Sequence, residues 1–258
     1  MLLAAALAPH PPLLFTELVG PPGDLPEAVR SLLSSCTRAV ERLVACRPET
    51  IVVIGAAEDS RDYDPRGALP VHRYGPLAAP AADGAAVEEG RAEGAEVLPL
   101  SLGVGSRLLD LAGWRGERRL VGLAADAPAA ECAAAGREAV RAGRRVAVLA
   151  MGDGSARRGP KAPGHLDGRA AEFDAGILKA LREADAGTLL AVDPALAREL
   201  LAAGRPAWQA LAGASGASGA AGDTAQAVKA EVLYSDDPYG VHYTVALWTP
   251  SPSAGSGE

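Results

Sequence analysis

The chain has 258 residues, 48% of them hydrophobic and 22% charged, with a formal net charge of −7. That length buries a full core, and one α/β domain is expected over residues 1–248 rather than two small ones. The acidic balance, with aromatics at 4% and no long basic run, argues against a nucleic-acid partner, and no stretch reaches the roughly 20 apolar residues that span a bilayer.

Residues 2–8 read as a first buried strand. The start, MLLAAALAPHPP, lacks the basic region and long apolar run of a signal peptide. The prolines around His10 remove backbone donors and hold that histidine in an extended turn at the strand's carboxyl end. Apolar positions recur at helical spacing over 26–46, and Arg47-Pro48 stops the run. A second strand, TIVVIG, follows at 50–55 and leads to Glu58 and Asp59. A helix between two such strands predicts a βαβ unit with a parallel sheet. Cys36, Cys46 and Cys132 show no CxxC spacing, which suggests reduced thiols and a cytoplasmic protein.

Residues 56–96 are rich in Pro, Gly, Asp and Ala and predict a long excursion with one short strand near 68–71; loops of that length are usually functional or mobile. Strands are expected at 97–102 and 119–124, and helices at 106–112 and 128–142. The stretch RVAVLAMGDGSARR at 145–158 is the focus of the chain. Its apolar run has the character of a strand covered on both faces, and it breaks at glycines that permit unusual backbone angles. In open α/β sheets ligands bind beyond the carboxyl ends of such strands.

Two readings of that loop stand side by side. The amides of Gly152 and Gly154, with Asp153, Ser155, Arg157 and Arg158, form an anion pocket, or Asp153 braces the turn and the arginines are solvated. His165 either closes over the pocket or is exposed. The segment lacks P-loop spacing, and Ser155 has neither a GxSxG context nor an obvious histidine partner.

A helix is expected at 168–184 with Asp167 as its N-cap. Residues 188–192 form a short strand or a link, and Pro194 starts a helix running to about Ala203 that resumes near Trp208. Residues 213–222 are a flexible linker by composition. Strands at 228–234 and 241–248 suggest a hairpin with Tyr234, Tyr239 and Trp248 packed on it; His72 and His242 read as structural or exposed. Residues 249–258 are expected to be a disordered tail. The fold class is α/β, a mostly parallel central sheet flanked by helices with a C-terminal β-hairpin.

Five stretches together carry a family resemblance: APHPPLL from Ala8, IVVIGAAED from Ile51, MGDGSARR from Met151, FDAGILKAL from Phe173, and AEVLYSDDPYGVHYTVALW from Ala230. In that order they span nearly the whole chain, which resembles the class III extradiol ring-cleavage dioxygenase catalytic (B) subunit superfamily, including Memo-type proteins. The resemblance implies ferrous iron held by two histidines and a carboxylate, plus an acid/base histidine. Residue by residue, the first metal histidine falls on His10. The second falls on Ala57, followed by Glu58 and Asp59, and the acid/base histidine falls on Ala156. The carboxylate falls near Ala203, with Glu199 one turn earlier.

Three functions follow. The first is a dioxygenase-like protein with most iron-site histidines replaced, not a classical ring-cleaving enzyme, binding a small anionic or aromatic ligand at the His10/Asp153 cleft. In it His10, Asp153 and His165 are the catalytic candidates. The second keeps catechol cleavage, with iron on His10, Glu58, Asp59 and Glu199. The third is a Memo-like interaction scaffold. Family relatives often associate, so a homo-oligomer is compatible with each; no nucleic acid or membrane partner is expected.

Overall fold

The computed structural model describes residues 1–15, 18, 24–69, 71–74, 96–216 and 228–251. In chain order β1 (Leu2–Ala8) is followed by α1 (Glu27–Ala45), β2 (Thr50–Ala57), β3 (Arg61–Tyr63), α2 (Leu100–Leu111), β4 (Glu117–Ala124), α3 (Ala129–Arg141) and β5 (Val146–Met151). Then come α4 (Ala170–Glu183), α5 (Ala186–Leu190), α6 (Pro194–Glu199), α7 (Arg205–Ala214), β6 (Val228–Asp236) and β7 (Tyr243–Pro250).

Among the described residues seven strands form one sheet in the order β3-β4-β2-β5-β1-β7-β6. Its four inner strands, β4, β2, β5 and β1, are parallel, but β3 runs antiparallel to β4, β7 to β1, and β6 to β7. The sheet is therefore mixed, not mostly parallel. Parallel neighbours need long crossovers, whereas the short β2–β3 excursion and the β6–β7 hairpin can only return antiparallel. β1 and β2 are parallel as the βαβ reading requires, with β5 inserted between them.

β5 shows why the inner strands read as unbroken apolar runs: all six residues are buried. Val146, Val148 and Ala150 point into a core closed by α3, α4 and α7, while Ala147, Leu149 and Met151 join one closed by α1 and α2. Period-two alternation on a strand covered on both faces gives two cores from one segment. α7 lies in the first of these cores with all ten residues buried. It meets α3 at backbone distance, since a Cβ added to Gly136 would lie 1.9 Å from the Ala210 carbonyl oxygen and one added to Gly213 2.1 Å from that of Ala133.

Several expectations are corrected. Residues 97–102 are not a strand: Val97 makes one isolated bridge to Ala68, and α2 begins at Leu100 behind Pro99. The apolar alternation there comes from leucines on the buried face of a helix start. Residues 188–192 fall largely in α5, whose N-cap Asp185 accepts the Thr188 N–H at 3.0 Å. The helix from Pro194 ends at Glu199, and Leu201 turns the chain with φ 55°. Asp167 does not cap α4, which starts after Arg169. β7 continues through Thr249 and Pro250, so the expected tail starts too early. Most of the 56–96 excursion and of the 213–222 linker, residues 252–258 and the His72 side chain lie outside the described residues.

Candidate functional site

The carboxyl ends of β1, β5 and β2 are neighbours, because β5 pairs with both others in parallel register. That brings His10 beside Asp153. The His10 backbone N–H donates to Asp153 Oδ1 at 2.7 Å, and its Nδ1 lies 3.5 Å from the same oxygen. Both side chains are largely buried, and His10 Nδ1 has no hydrogen-bond partner among the described residues. Burial, and secondarily the Asp153 charge, pushes the Cys36 thiol and the Tyr243 phenol well above their ordinary ranges.

Two residues on, Ser155 is completely buried and closes onto α4. Its N–H donates to Asp174 Oδ1 at 2.9 Å and its hydroxyl to Oδ2 at 2.5 Å. His242, immediately before the last strand, turns Nδ1 toward Asp174 Oδ1 at 3.7 Å and Nε2 toward the Ser235 hydroxyl at 3.1 Å. Arg158 Nε donates to Asp237 Oδ2 at 2.8 Å and sits 3.7 Å from Asp174 Oδ2. The Asp174 charge is thus removed from water but met by two donors and two cationic or titratable partners, as a buried carboxylate requires. Burial lowers the His242 imidazole from its ordinary value, against the pull of Asp174 in the opposite direction.

The loop amides do not form an anion nest. Gly152 donates its N–H to the Ala8 carbonyl, Gly154 to that of His242, Ala156 to that of Leu200 and Arg158 to that of Gly240. Glycine is needed at 152 and 154 for close approach: an added Cβ would lie 2.7 Å from the Gly204 Cα or 2.8 Å from the His242 carbonyl oxygen. Asp153 accordingly braces the turn, its carbonyl accepting from Gly204 and its carboxylate from His10. Arg158 is tied to Asp237. Arg157 differs: it is half-buried, it bonds the Gly164 carbonyl through one terminal nitrogen at 2.5 Å, and its Nε is buried without a partner among the described residues. No carboxylate among those residues lies within 4 Å of it. Asp167 feels its charge but is already bonded to Arg169. His165 is exposed in a left-handed backbone conformation, φ 58°.

The donors required for ferrous iron do not fit. Such a site needs about three protein ligands around open positions, yet no three His, Cys, Asp or Glu among the described residues converge on a point. Glu58 and Asp59 are exposed beyond the end of β2, and Glu199 accepts from Arg169 at 2.7 Å at the surface. The proposed metal set His10, Glu58, Asp59 and Glu199 is therefore not assembled among the described residues. Ala57 and Ala156 offer no donor at the two other histidine positions the resemblance singles out.

Asp174, His242 and Ser235 were not singled out as functional by their sequence context. One signal was present: Asp174 falls between Ala170 and Ile177 on the apolar face of α4, where a carboxylate needs a buried partner. His242 carries no such mark, because its burial depends on a turn that the hairpin makes only in three dimensions.

No protein-family model matches the chain, and no curated protein does. Among solved structures, it is similar to an uncharacterized protein, JW3007, from Escherichia coli K12. Identity is 14% over 96% of this chain and 99% of that one, with a TM-score of 0.52. At that identity the likeness concerns the fold alone. No helix among the described residues is long and apolar enough to cross a membrane.

Proposed function

We propose that this chain keeps the frame of class III extradiol dioxygenase catalytic subunits without their iron chemistry, and that it binds a small anion beside the carboxyl ends of β1 and β5. The observation that carries this reading is Arg157. A half-buried guanidinium with no carboxylate within 4 Å among the described residues, and a buried Nε without a partner among them, leaves both a charge and a hydrogen bond unanswered. An orphaned buried donor costs about 1–3 kcal/mol, which a carboxylate or phosphate presented to a planar guanidinium relieves. The donor set argues against ring cleavage, since among the described residues His10 has no companions to hold iron, and position 156 lacks an acid/base side chain, whose loss removes about 10²–10⁴ in rate.

The experiment is a thermal-shift series with inorganic phosphate, acetate and benzoate at matched ionic strength. Binding at 100 times Kd stabilises by about 2.7 kcal/mol, and Arg157→Met abolishes the shift without lowering the unliganded melting temperature by more than a few degrees. In parallel, the protein incubated with excess ferrous iron consumes no oxygen with catechol. Stoichiometric iron together with oxygen uptake abolished by His10→Ala overturns the proposal.

A further inference from the structure

A second constellation lies on the hairpin side of the loop and does not depend on the anion reading. We propose that Ser235, His242 and Asp174 form a base-activated serine nucleophile that takes an acyl group from an ester. The two ring nitrogens of His242 face different partners, Nε2 the Ser235 hydroxyl at 3.1 Å and Nδ1 the Asp174 carboxylate at 3.7 Å. That is the order a proton relay needs: nucleophile, base, and a carboxylate orienting the base. Relay contacts are often long before substrate arrives and tighten when it binds.

The surroundings hold the parts in place. Ser155 occupies Asp174 through both its N–H and its hydroxyl, fixing the carboxylate so that an Oδ1 lone pair is left for His242. The His242 backbone is pinned as well, its N–H donating to the Ser155 carbonyl at 2.9 Å and its own carbonyl accepting from Gly154 at 2.8 Å. Ser235 is exposed on β6, whereas His242 and Asp174 are buried, so the nucleophile is reachable and its base is sheltered. The charged groups around the imidazole are Asp174 from α4, Arg158 from the loop after β5, and Asp236 and Asp237 from the hairpin. Burial is the largest influence on the ring and favours its neutral form, the one able to accept a proton.

In the reaction the Ser235 Oγ bonds to the ester carbonyl carbon as its proton passes to His242 Nε2. The tetrahedral adduct then expels the alcohol, which leaves with that proton, and the acyl group stays on Ser235. Water, deprotonated by the same nitrogen, releases the carboxylic acid and restores the hydroxyl.

The test uses the full chain with a fluorophosphonate probe and p-nitrophenyl acetate. One label per chain maps to Ser235 by peptide mass spectrometry, and Ser235→Ala removes it. The labelling rate rises with pH along the titration of the His242 ring followed by NMR, with a midpoint below 6.5, and His242→Gln slows it by at least about 10²-fold. If that variant melts early, coincidence of the two pH curves in the wild-type chain decides the matter. The proposal is overturned by labelling that is absent from Ser235 or scattered over other serines, or by a Ser235 rate with no inflection where His242 titrates. A histidine that merely ties the hairpin gives the last of these results.

Discussion

Substituting Gly136 by alanine sets two effects of opposite sign against each other. In the middle of a helix, glycine to alanine gains about 1 kcal/mol of propensity. At this position, however, the new Cβ falls 1.9 Å from the Ala210 carbonyl oxygen and 2.8 Å from its carbon, against an ordinary separation of about 3.5 Å. The obstacle is backbone on α7, which is buried on every side and has no flexible side chain to swing away. Overpacking costs about 1–3 kcal/mol, and a rigid obstacle places Gly136→Ala at or beyond the upper end of that range. The net loss is then about 2 kcal/mol, a fall in melting temperature of roughly 4–8 °C. Gly176→Ala on α4 is the control, since its Cβ meets nothing within 4 Å among the described residues and propensity acts alone; it should raise the melting temperature by roughly 2–4 °C. Calorimetry of the three proteins decides between the effects. A Gly136→Ala protein as stable as wild type would refute the backbone contact between α3 and α7.

Thiol reactivity should separate the cysteines: Cys46 is half-exposed, whereas burial pushes the thiol of Cys132 up to about 11 and that of Cys36 higher still. A disulfide reagent at pH 8 should therefore titrate one thiol rapidly and the other two only on unfolding, and three fast thiols would contradict the packing. Side-chain and backbone hydrogen bonds from Arg169 lower the Asp167 carboxyl to about 2, so in Arg169→Ala, which keeps only the backbone N–H, an NMR titration should find it raised toward the ordinary carboxylate range. The depressed His242 makes the unfolded chain the stronger proton acceptor. Stability is therefore fully present above about pH 6.5 and falls as the pH drops from there through the folded value. His242→Asn should flatten that part of a stability-versus-pH curve measured by urea denaturation, and an unchanged slope would place the imidazole in water.

What the sequence makes legible follows from which forces are local. β5 and α1 could be located because continuous apolar runs and helical spacing are written into neighbouring residues, and His10 and Asp153 meet where a parallel sheet ends. The antiparallel edges are less legible, because pairing of β7 with β1 links residues about 240 apart. VLPLSL alternates like a strand, yet Pro99 is a natural residue before a helix and α2 claims the leucines. At the site, Gly152 and Gly154 look like amide donors awaiting an anion, but only the fold reveals that Ala8 and His242 already accept from them. Asp174 and Ser235 lie 61 residues apart in sequence and share one imidazole only after the hairpin has closed over α4.

The position of α7 also constrains how the chain is made. Its ten residues leave the ribosome after β1, β2, β4 and β5, yet they lie against all four strands. Until residue 214 has emerged, the core that α7 shares with α3 and α4 is incomplete, and the apolar surface left open on that side of the nascent sheet invites aggregation. Truncations ending before 205 should therefore collapse or bind chaperones instead of yielding a smaller folded unit, and in the finished protein the amides of α7 should be among the last to exchange with solvent.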